Sequence, residues 1–173
     1  MLPNGRPDKR YYSYKKKVRG PALRYEVAVS IRSSDIVWIS GPWLPGEYND
    51  LMIFRSSGLM DMMEDGEQIE ADNIYRAESP TWTKCPCSMG SKASQKKMKR
   101  RCWARHKTIN ERLKNFTCLE KTFRHSNKKH GMCFRAAAVC VQLAMEGGET
   151  MFDCRDYNDL ITDREVEELL FSL

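Results

Sequence analysis

The residues best placed to do chemistry are cations. Lys96, Lys97, Lys99, Arg100, Arg101, Arg105, Lys107, Arg112 and Lys114 crowd into the stretch from Ala93 to Phe116. Met98, Cys102, Ile109, Leu113 and Phe116 recur in the same stretch at steps of four, seven, four and three. That spacing makes one helix with an apolar face and basic flanks, a shape suited to a polyanion such as DNA. A solvated charged face fits the same run equally well. His106 falls among the apolar positions and is expected to be a packed histidine. Ser94 is the expected N-cap. Cys85-Pro86-Cys87 is the one tight cysteine pair, but no second pair lies at zinc-finger spacing, so the segment is expected to be a loop.

A carboxylate stands apart from the basic run. Asp72 follows Gln68–Ala71, which reads as a short strand, and α/β sites form at the C-terminal ends of strands. The elements around it follow from pattern. Leu23, Tyr25, Val27, Val29 and Ile31 alternate within Ala22–Ile31, the period of a strand. Ile36–Ser40 is a continuous apolar run, expected to be a strand buried on both faces. The short link between these two allows only an antiparallel hairpin. Asn49 caps an expected helix over Asp50–Met63, with Leu51, Phe54, Leu59, Met62 and Met63 as its core. Pro80–Ser91 is expected to be a loop, and Phe134–Met145 a buried helix closed by Gly147-Gly148. The order strand, strand, helix, strand, long helix, helix gives an α/β domain with helices packed on a small sheet.

Composition narrows the partners. The 173 residues carry a formal net charge of +6, concentrated in Lys9–Arg19 and Lys92–Lys114, while the end of the chain from Asp153 is acidic. This asymmetry favours nucleic acid over a small-molecule substrate. No apolar run approaches the ~20 residues that span a bilayer. The seven cysteines are odd in number and irregularly spaced, as expected of reduced thiols inside a cell. Lys96–Arg101 would also serve as a nuclear import signal, so a nuclear location is expected.

Several stretches together resemble a known family. These are Tyr12-Ser13-Tyr14-Lys15, Arg24-Tyr25-Glu26-Val27, Trp38-Ile39-Ser40-Gly41-Pro42, Tyr48-Asn49-Asp50-Leu51, Ala71-Asp72 with Tyr75-Arg76, and Ala104-Arg105-His106 with Asn110 and Arg112-Leu113-Lys114. In this order they are similar to the DDE endonuclease domain of PIF/Harbinger-type transposases. The resemblance implies an RNase H-like fold over residues 11–157, after an irregular lead of residues 1–10 and before an acidic tail of residues 158–173. It also implies a site in which three carboxylates hold two Mg²⁺ or Mn²⁺ ions for phosphodiester cleavage.

Carried over residue by residue, the resemblance makes Asp72 the second metal-binding acid. Asp50, Tyr75, His106 and Asn110 become supporting residues, and Lys96, Lys97, Arg100, Arg101, Arg105 and Lys114 the DNA-binding set. It puts the third acid five residues before Arg112, where this chain has Lys107, and the first acid on an opening strand upstream of Tyr12 that the chain lacks. A sheet edge beside Asp72 is then expected to be bare, and Lys107 to reach across to Asp72 as an ion pair. With one acid of three in position, the expected protein is a degenerate transposase domain with little or no nuclease activity. Two alternatives stand beside it: an active nuclease completed by another chain, and a domesticated DNA- or protein-binding module.

Overall fold

The computed structural model describes residues 8–13 and 20–149, with the side chains of Arg101 and Trp103 outside that description. Tyr14, Lys15 and the acidic tail therefore also lie outside the described residues. The architecture is mixed α/β, with small sheets and helices packed on them, consistent with the RNase H-like fold that the resemblance implies.

The first hairpin pairs β1 (Arg24–Val29) with β2 (Ile36–Trp43), antiparallel, with Glu26 opposite Ser40 and Val27 opposite Ile39. Its alternation works as the sequence indicates. Tyr25, Val27 and Val29 join Ile36 and Ile39 in packing against a buried cluster of Ile109, Leu113, Phe134, Ala137, Ala138 and Val141. Helix α1 (Asp50–Ser56) lies against the opposite face through Arg24 and Asp50, so β2 is largely covered, with one exception. Val37, at the break in register between Trp38 and Ile36, is 61% exposed.

Asn49 caps the helix α1 (Asp50–Ser56) as expected, its side chain accepting from the Met52 N–H at 2.9 Å. The helix stops seven residues short of Met63. Gly58 follows it with φ +86°, and a single 3₁₀ turn, Met60–Met62, comes next. Ile53, Phe54 and Leu59 form its core, while Met62 is 72% exposed.

The segment read as a loop contains a strand. β3 (Ile69–Glu70) pairs in parallel with β4 (Thr83–Lys84), forming a two-stranded sheet separate from the hairpin. Among the described residues Asp72 is thus not on a central, fully paired strand. Two residues per strand are too few for periodicity to register, which is why β4 escaped the pattern.

The long helix α2 runs Lys92–Lys114, and its N-cap is Ser91, which accepts from the Ser94 N–H at 3.1 Å. Ser94 is the donor to that cap, three residues along. Met98, Cys102, Ile109 and Leu113 are all buried on one face. After the short helix α3 (Thr117–Glu120), α4 (Asn127–Glu146) begins seven residues before Phe134, because Ser126 supplies its cap. It grips the hairpin through Gln142, which accepts from the Ile36 N–H at 2.9 Å and donates to Asp35 at 2.7 Å.

Candidate functional site

A cavity of about 1240 Å³ opens beside β1, walled by α2, α4 and the turn after β3. Its lining collects most of the site residues expected from sequence: Asp50, Asp72, Tyr75, His106, Asn110 and Lys114. They come from three separate elements. Asp72 follows β3 and caps a 3₁₀ turn over Asn73–Glu78, accepting from the Asn73 N–H at 2.6 Å. Beneath it the Cys85 thiol, fully buried, donates to the Asp72 carbonyl at 3.4 Å. Cys87 is exposed, so the two cysteines of the Cys85-Pro86-Cys87 segment do not face a common ion.

Asp50 opens α1 and lies 3.1 Å from the Arg24 guanidinium, which also donates to the Tyr48 carbonyl at 2.9 Å. Tyr75 stacks edge-on against Phe54, and burial raises its pKa, with the Asp50 and Glu26 charges adding to the rise. Glu26 itself lines the cavity and donates nothing; it accepts from the Trp38 indole at 3.0 Å, and burial raises its pKa. Sequence reading passed over Glu26 and Arg24 as site residues. Their signal was their place in β1, where Arg24 and Glu26 alternate with the apolar face and so project from its other side.

Three expectations about α2 need correction. His106 is exposed and lines the cavity instead of being packed in the core. The cavity walls desolvate its ring and lower its pKa, against a smaller opposing pull from Asp72. Lys107 makes no ion pair with Asp72 among the described residues. Its ammonium lies 3.6 Å from Glu111, one turn along, where both side chains are mostly exposed. One residue along a helix is about 100° of rotation, which carries position 107 away from the wall that position 106 faces.

The third correction concerns Arg105. Its side chain is 13% exposed, and its guanidinium sits 3.3 Å from Glu70, which is 9% exposed. It is a buried partner of β3 and does not join the DNA-facing set. The spacing already held this answer: Arg105 comes seven residues after Met98 and four before Ile109, on the apolar stripe. Lys96, Lys97, Arg100 and Lys114 are exposed, and the side chain of Arg101 lies outside the described residues.

The match to known families decides what this cavity belongs to. Residues 3–144 match the DDE superfamily endonuclease family. The chain belongs to that family. No curated protein and no solved structure matches it. Family membership makes DNA the substrate class and divalent metal the usual cofactor, and no helix among the described residues is long and apolar enough to cross a membrane.

Among the described residues, the donor set in the cavity does not fit a two-metal centre. Among the described residues no group of three His, Cys, Asp or Glu side chains is arranged to hold a metal ion. Asp50 already faces a guanidinium, Glu26 an indole N–H, and Asp72 a backbone N–H. The cation partner of Asp50 raises the cost of placing a divalent ion beside it. What the arrangement does provide is a polar cleft flanked by a cationic helix.

Proposed function

We propose that this chain is a PIF/Harbinger-type transposase domain that binds DNA through the outer face of α2 and cleaves it little or not at all. One observation carries the binding half. Lys96, Arg100, Lys107 and Lys114 follow one another at steps of four, seven and seven, and all four are exposed. That spacing lines them along one side of the helix, away from Met98 and Ile109. Fixed cations in such a row neutralise successive phosphates and release counterions, with no need for base contacts. The row includes Lys107, at the position of the family's third acid. Here it extends the cationic row where a metal ligand would otherwise stand.

The non-catalytic half rests on the occupied carboxylates of the cavity. Without two free acids around Asp72, no pair of metal ions can be held to activate water and stabilise the leaving oxygen. A nuclear location follows from DNA as the partner. A domesticated binding module carries the same residues forward without phosphoryl chemistry.

The test is fluorescence anisotropy with a labelled duplex across a salt series. Lys96→Glu, Lys97→Glu and Arg100→Glu together are expected to reduce affinity by more than tenfold and to flatten the salt slope, with circular dichroism unchanged. Affinity equal to the parent protein would make the row a solvated face and refute the binding reading.

A further inference from the structure

Helix α4 is apolar on two opposite sides. Phe134, Ala137, Ala138 and Val141 are buried against the hairpin and α2. On the far side Met132, Val139 and Leu143 are 62%, 57% and 60% exposed, and Ala136 between them is exposed as well. Met132, Ala136, Val139 and Leu143 recur at steps of four, three and four. At roughly 100° per residue they form a single stripe, about 180° from the buried face. That alternation is the seam by which one helix packs knobs-into-holes on another. Three large side chains exposed in one line are also more than the scattered surface apolar residues that need no explanation.

Charge identifies the helix that fits. The start of α4 is basic, with Lys128 and Lys129, and its end is acidic, with Glu146. An antiparallel copy of the same helix complements this polarity at both ends at once. In such a pair Met132 meets Leu143 of the second copy, and Ala136 meets Val139. The same register brings Lys128 to the flank and level of Glu146 of the second copy, once at each end. A two-fold axis relates all of these contacts, so the interface is self-complementary and closes as a dimer.

We propose that the outer face of α4 is a homodimer interface, formed by antiparallel packing of α4 on α4. The stripe spans only about 17 Å along the helix, so the association depends on concentration in the working range.

The experiment is sedimentation equilibrium of the full chain in reducing buffer, which removes disulfide dimers through the exposed Cys118 and Cys140. The expected mass rises with concentration from 20.1 kDa toward twice that value. Val139→Glu with Leu143→Glu is expected to hold the chain at monomer mass while its helical circular dichroism persists. Lys128→Glu and Glu146→Lys are each expected to weaken association by about 2- to 5-fold, and the double swap to restore it. Restoration separates antiparallel from parallel pairing, because a parallel pair puts both copies of Lys128 at one end, far from Glu146. A monomer at every concentration, as when the chain's own acidic tail covers the stripe, overturns the proposal. So does a dimer that survives the Val139/Leu143 double substitution.

Discussion

Replacing Arg105 with Ala is the sharpest test of how α2 is oriented. The guanidinium lies 3.3 Å from Glu70, with the two side chains 13% and 9% exposed. At an effective dielectric of about 20, charges at that distance attract by about 5 kcal/mol, before the cost of desolvating both. Removing Arg105 takes a close cation from a buried carboxylate, and breaking such a pair typically costs about 3–5 kcal/mol. For a chain of this size that corresponds to a fall in Tm of roughly 6–20 °C. Thermal and urea denaturation followed by circular dichroism measure it. Glu70→Gln in the Arg105→Ala background should return part of the loss, since it removes the charge that Arg105 balanced. A loss below about 1 kcal/mol, together with a drop in DNA affinity like that of Lys96→Glu, would refute this reasoning. It would put Arg105 on the outer, DNA-facing side.

Two further outcomes follow from local geometry. The pKa values of His106, in the cavity wall, and of half-buried His130 are both lowered by desolvation, so the unfolded chain takes up protons that the folded one refuses. Stability contributed by these groups is full above the ordinary histidine pKa of about 6.5 and falls as pH drops below it. Urea titrations from pH 8 to pH 5 should show that decline, flattened by His106→Gln with His130→Gln; an unchanged slope in the double variant would remove the histidines as its cause. Gly41 has φ +124°, and a Cβ there would come within 2.8 Å of the Arg24 carbonyl oxygen. Gly41→Ala should destabilise the hairpin by about 1–3 kcal/mol in urea denaturation, and a neutral result would mean that β1 and β2 sit further apart.

Which parts of the fold could be read from sequence depended on how many residues each signal had. The β1–β2 hairpin showed itself through alternation from Leu23 to Ile31, and α2 through an apolar stripe sustained over three turns or more. The pairing of β3 with β4 did not, because two-residue strands carry no period and parallel partners are set by the tertiary fold. The exposure of Val37 and of the Met132–Leu143 stripe was equally hidden. An apolar run says that a segment can be buried, and only the placement of its neighbours says on which side. In the site, convergence of Asp50, Asp72, Tyr75, His106 and Asn110 came through the family resemblance. The failure at Arg105 came from sorting residues by charge before sorting them by helical position. Its seven-residue step from Met98 marked an inward-facing cation that needed an inward-facing acid, and Glu70 on β3 is that acid.

DNA binding without metal-dependent cleavage is the behaviour proposed for this domain. Supercoiled plasmid incubated with the purified chain and Mn²⁺ tests it directly, with binding scored by gel shift and nicking scored after protein is removed. The account predicts a shifted plasmid that is recovered supercoiled. Recovery of open-circular plasmid, dependent on Mn²⁺ and lost in Asp72→Asn, would contradict it.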